Sequence, residues 1–141
     1  MVKTYNPKEV ILTVGPYIIS GYADGSFITV ERNEDAWSLQ IGTDGEGTRS
    51  KSNNRSGTVT TRLMQSSDSN QVLSALALAD EQSGAGIVPI FIKDGSPGGT
   101  TLVIAESGWV RKLPSVEYDR TALGREWVLE TDVLTINVGG N

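Results

Sequence analysis

Trp37-Ser38-Leu39-Gln40-Ile41-Gly42 alternates bulky apolar residues with polar ones without a break. Successive side chains of a strand point to opposite faces, so the stretch predicts a β-strand with one face buried and the other turned to water or a polar lumen. The same period of two recurs on both sides of it, in short segments closed by Gly, Asn, Asp and Pro. Residues 10–14 and 17–20 flank Gly15-Pro16 as a hairpin, and residues 27–32 form a strand ahead of the acidic turn at Glu34-Asp35. Residues 42–57 hold no large apolar side chain, which predicts a long polar hairpin excursion away from the core before a strand resumes over 57–64.

Further along, residues 69–81 are rich in Ala and Leu and predict the one helix of the chain. Asp68 and Gln71 stand at capping-box spacing, Gly84 and Gly86 offer a stop, and Val72, Leu76 and Ala79 share a stripe suited to packing on a sheet. Residues 87–92 form an apolar run with Pro89 at an edge or bulge, and 101–105 and 109–113 read as two strands separated by Ser107-Gly108. Between 126 and 138 the apolar positions switch from odd (Trp127, Leu129) to even (Leu134, Ile136, Val138) near Thr131-Asp132. Such a phase change predicts a bulge or a strand that moves between sheets. The fold class expected is therefore mainly β: an antiparallel sandwich or barrel in one domain over residues 1–141, with one flanking helix and a long polar hairpin.

The chain contains neither histidine nor cysteine. That excludes an imidazole base, a thiolate nucleophile, a disulfide and a thiolate zinc site. Asp44-Gly45-Glu46 and Glu34-Asp35 match no established calcium loop and read as surface turns, while Glu130 and Asp132 keep one face of the last strand wet. Asn54-Arg55-Ser56 fits the glycosylation pattern by coincidence, and Gly84 and Gly86 lack the third glycine of a dinucleotide site. No catalytic residue, cofactor or metal is expected. With no stretch of about 18 apolar residues and no secretion signal at the start, the chain reads as a soluble protein made in the cytoplasm, away from membranes.

Charge is distributed unevenly. Residues 49–67 carry Arg49, Lys51, Arg55 and Arg62 and no acid, whereas residues 1–48 hold three basic and seven acidic side chains and residues 68–141 five and ten. A positive finger on a negative body suits head-to-tail association between copies. Nucleic-acid binding by the finger is less favoured, because no aromatic residue is interleaved with its cations.

Gly21-Tyr22-Ala23-Asp24-Gly25, Glu31-Arg32-Asn33-Glu34-Asp35, Asp44-Gly45-Glu46, the run from Arg49 to Gly57, Ser69-Asn70 and the closing Val138-Gly139-Gly140-Asn141 occur in an order that resembles tail tube proteins of contractile-tailed bacteriophages. The resemblance spans essentially the whole chain. It implies a β-sandwich subunit of hexameric rings stacked into the inner tail tube of a virion, kin to the tubes of type VI secretion and contractile bacteriocins. The partners it implies are further copies of the chain, the tail sheath protein, tape measure and baseplate or terminator proteins, and double-stranded DNA passing through the lumen without sequence-specific binding. On this basis Arg49, Lys51, Asn53, Asn54, Arg55 and Arg62 are expected at subunit or ring contacts, and Ser38, Gln40, Thr58 and Thr60 at the lumen. In the family an Asp often occupies the place of Asn54. Two alternatives are a tube of a related contractile injection system and a monomeric carbohydrate-binding module with Trp37, Trp109 or Trp127 as its platform.

Overall fold

The computed structural model describes residues 2–140; Met1 and Asn141, the ends of the expected domain, lie outside the described residues. After a 3-10 turn at Pro7–Glu9, the chain forms β1 (Val10–Val14), β2 (Tyr17–Ile18), β3 (Ile28–Arg32), β4 (Trp37–Ile41), β5 (Gly47–Lys51), β6 (Gly57–Met64), α1 (Ser69–Ser83), β7 (Val88–Asp94), β8 (Leu102–Lys112), β9 (Gly124–Thr131) and β10 (Thr135–Asn137). The architecture is mainly β with one helix, and every strand pair is antiparallel. One sheet runs in the order β2-β1-β7-β8-β9-β6-β3 with β10 added on β8, and β4-β5 forms a separate two-stranded ribbon.

Strand β8 joins the two wings of the large sheet. The strands expected at 101–105 and 109–113 are in fact this single element of 11 residues. Its first half pairs with β7 and β10, its second half with β9. Gly108, expected to interrupt the chain between strands, instead keeps one continuous: a Cβ there would lie 2.3 Å from Cδ1 of buried Ile90, so only glycine lets the strand pass that side chain. The bulge expected at Pro89 is present as a register shift between Val88 and Ile90, and the Pro89 carbonyl accepts the Gly15 N–H at 2.7 Å.

The wings close over one core. Leu12, Val14, Ile90, Ile92 and Val103 come from one wing and Val59, Leu63, Trp127 and Leu129 from the other, joined by Leu73 of the helix and Leu134. Each large side chain removed from water contributes about 1.5–3 kcal/mol. The indole N–H of Trp127 donates to Asn70 Oδ1 at 2.8 Å, tying helix to sheet, and no buried side-chain polar atom among the described residues lacks a partner.

The helix differs from expectation in two respects. Its buried stripe is Ser69, Leu73 and Ala77, and Val72, Leu76 and Ala79 flank it half-buried, because Leu73 rather than Leu76 meets the core squarely. Asp68 makes no capping bond; Ser67 Oγ takes that place, accepting the Ser69 N–H at 3.2 Å while donating to the Ser20 carbonyl at 2.6 Å. The helix ends at Gly84, whose N–H donates to the Asp80 carbonyl at 2.8 Å.

The phase flip of the last strand is a break at residues 132–134 between β9 and β10. Here Leu134 turns inward and is fully buried over Gly57. Its N–H donates to the Arg55 carbonyl at 2.8 Å, and its own carbonyl accepts Nε and Nη2 of Arg32 at 3.1 and 2.7 Å. A Cβ on Gly57 would lie 2.2 Å from Leu134 Cδ2. Gly57→Ala is therefore expected to destabilise the fold by about 1–3 kcal/mol, the cost of overpacking, read from the urea unfolding midpoint.

Burial pushes the Tyr22 phenol up to about 12, an effect only partly opposed by a backbone hydrogen bond at Leu12. The folded value lies above the unfolded one of 10.0, so this contribution is intact below pH 10 and is lost as pH rises towards 12. An alkaline titration of the unfolding midpoint should show that decline, and Tyr22→Phe should lessen it.

Candidate assembly interface

Four of the residues expected to carry function, Ser38, Gln40, Arg49 and Lys51, lie on an arm. Strands β4 and β5 pair only with each other, from Trp37↔Lys51 to Ile41↔Gly47, and all of their residues are exposed. This overturns the expectation of a buried face on residues 37–41. Trp37, Leu39 and Ile41 are 46%, 67% and 61% exposed, because the strand that carries them has left the core. The excursion thus begins before residue 42, and it is built as a ribbon rather than an irregular loop.

Register decides what shares a face. Opposite residues of an antiparallel pair lie on the same side, so Trp37, Leu39 and Ile41 share theirs with Lys51, Arg49 and Gly47. The Arg49 guanidinium lies 3.7 Å from the Trp37 ring centroid, so the cation is carried on the apolar face. Ser38, Gln40, Thr48 and Ser50 make up the other face, which is neutral and polar. The ribbon is amphipathic, with an apolar row edged by two cations on one side.

A polar network fixes the root of the arm. Glu34 accepts from Ser52 Oγ at 3.3 Å and from Asn54 Nδ2. Asn54 Oδ1 in turn accepts the Ser56 N–H at 3.0 Å and its hydroxyl at 2.6 Å. Asn33 Nδ2 donates to Ser56 Oγ at 2.9 Å, and Thr58 Oγ1 donates to Asn33 Oδ1 at 3.0 Å.

The six residues expected at contacts therefore fall in three places. Arg49 and Lys51 stand on the arm's apolar face; Asn53, Asn54 and Arg55 lie in the exposed return segment at its root, where Asn54 is engaged in the network. Arg62 lies far along β6, beside a cleft of about 730 Å³ that Tyr22, Phe27 and Leu123 also line. Of the expected lumen residues, Ser38 and Gln40 are on the arm, whereas Thr58 and Thr60 are half-buried on β6. By register Thr58 sits between Glu31 and Glu130, and Thr60 between Thr29 and Val128. Sequence reasoning missed Trp37, Leu39 and Ile41 as an exposed apolar face. The signal that could have found them was the pair Arg49 and Lys51 at strand spacing, two residues apart, inside a segment otherwise without apolar residues.

Comparison with known proteins gives consistent matches across the chain. The family model described as Bacteriophage PhiTE tail tube protein matches residues 10–139. Structural protein ORF10 of Pseudomonas phage KPP10 is 28% identical over 146 residues, covering 98% of this chain and 83% of that protein. Among solved structures, the tube-terminating cap of the anti-feeding prophage superposes with a TM-score of 0.67 at 12% identity, covering 99% of this chain and 94% of that one. A chain of the sheath-tube complex of the extracellular contractile injection system PVC superposes at 0.60 with 14% identity, over 96% and 92%. At such identities the two structures share the fold.

Asn54→Asp would remove the Nδ2 donor and set a second carboxylate against Glu34. Amide hydrogen exchange in residues 34–56 is expected to quicken by about two- to fivefold, the effect of an exposed charge interaction of ~0.5–1 kcal/mol, with no change in the core strands.

Proposed function

The chain belongs to the bacteriophage tail tube protein family, whose model spans residues 10–139, and from that membership we propose that it is the ring-forming subunit of a contractile phage's inner tail tube. The observation that carries this reading is the arm. A two-stranded ribbon is marginal in water by itself, and one that exposes Trp37, Leu39 and Ile41 is suited to being covered by another copy. Rings, hexameric by the resemblance, stack through this contact, and the basic finger of one copy meets the acidic body of the next. The sheath protein, tape measure and terminator or baseplate proteins complete the set of partners, as the sheath-tube and cap assemblies of the structural relatives suggest.

Thr58 and Thr60 line the channel in this proposal, with Ser38 and Gln40 as the arm's contribution. Glu31 and Glu130 flank Thr58; Arg111 is paired with Glu130 at 3.1 Å, and Arg62, which continues the row of Thr58 and Thr60, stands opposite Glu126. Both cations have an acid as neighbour, so such a wall offers duplex phosphates little free counter-charge, and DNA passes on its way into the host without being held. The role is structural rather than enzymatic, in keeping with a tube family and with a chain that lacks His and Cys. A carbohydrate platform is poorly served: Trp127 is buried, Trp109 is half-buried, and one face of the Trp37 ring is taken by Arg49.

Negative-stain microscopy of purified protein tests the proposal; only monomers at every salt and concentration would overturn it. Replacing Arg49, Lys51 and Arg55 by serine should leave the monomer folded but shorten tubes or abolish them, and unchanged tube length and yield would refute the role of the finger.

A further inference from the structure

A second surface on the molecule complements the arm in apolar character and in charge. Tyr17 of β2 and Asp68, Gln71, Val72, Ala75 and Leu76 at the start of α1 line a groove of about 560 Å³. It is mainly apolar, with a carboxylate at one end. The helix and its N-cap residue carry Asp68, Asp80 and Glu81 and no basic side chain. The arm presents the converse, an apolar row flanked by Arg49 and Lys51.

The two surfaces lie at opposite ends of one strand. The arm returns into β6 at Gly57, over which its root is fixed by Leu134, and α1 follows from the other end of β6 at Met64. Eight residues of strand separate these ends by roughly 23 Å. The groove end is held firmly, since Ser69 Oγ accepts the Ser20 N–H at 3.0 Å and Ser67 Oγ donates to the Ser20 carbonyl, clamping the helix start to the chain just beyond β2.

We infer that the arm of one subunit docks by its Trp37-Leu39 face into the Tyr17-Val72-Ala75-Leu76 groove of the next copy, with Arg49 and Lys51 meeting Asp68. This deepens the tube proposal and rests on it. Because donor and acceptor surfaces differ and occupy opposite ends, each copy receives one arm and extends another, so the contact propagates in one direction instead of closing as a dimer. Apolar surface supplies the attraction and the charged rim sets the register.

The chain has no cysteine, so a double variant carries only the two thiols placed in it. Leu39 and Ala75 are both exposed, and Leu39→Cys with Ala75→Cys should leave the fold intact. A short thiol-reactive cross-linker added to the assembled double variant should give a series of covalent multimers on a denaturing gel, absent from either single variant. Products that stop at the dimer would overturn the one-directional contact. Multimers from Leu39→Cys with Ile104→Cys, on the outer face of the large sheet, and none with Ala75→Cys, would overturn the groove while leaving the tube reading standing. If the unsubstituted protein forms no tubes at all, the tube reading fails, and this contact with it.

Discussion

Leu134 seated over Gly57 is the joint from which the rest of the molecule is arranged. The missing Cβ of residue 57 leaves the space, and the break between β9 and β10 drops the leucine into it. Its backbone is then gripped on both sides, by the Arg55 carbonyl and by the Arg32 guanidinium. Arg32 ends β3, Arg55 lies between β5 and β6, and Leu134 precedes β10, so one contact gathers both ends of the arm and the last strand at a single point. A guanidinium bonded to a main-chain carbonyl is a charge-assisted interaction, which makes this a firm base for a ribbon with no other sheet to lean on.

From that base the arm holds an unfavourable surface in a fixed orientation. Exposed Trp37, Leu39 and Ile41 cost free energy in water, a cost that the proposed association would recover. The network of Glu34, Ser52, Asn54 and Ser56 limits the ordering that association would otherwise require, since the root is already set. Arg49 over the Trp37 ring adds direction: the cation travels with the apolar surface and favours a partner that is greasy and acidic over one that is merely greasy.

Much of this was legible in the sequence where local chemistry dominates. Alternation gave the strands, Ala and Leu gave the helix, and the parity switch after Leu129 marked the break that delivers Leu134. Legibility failed where a long-range neighbour decides the outcome. Nothing local to Ser107-Gly108 says that Ile90 lies across it, so a continuous strand read as two. Asp68 has the composition of a cap, but Ser67, anchored on Ser20, reaches the helix start first. The arm is the most instructive case, since period-two patterning reports that one face avoids water without saying which molecule covers it. Residues 37–41 satisfy the pattern of a core strand while standing outside the core.

The continuity of β8 has a mechanical consequence. Its 11 residues bond to β7 and β10 along one half and to β9 along the other. Tension along its axis therefore loads many antiparallel hydrogen bonds together, in shear, rather than opening them one after another as peeling would. A chain built around such a tie bar is stiff lengthwise and yields more readily to forces that pry its edge strands, β2, β3 and β10, sideways.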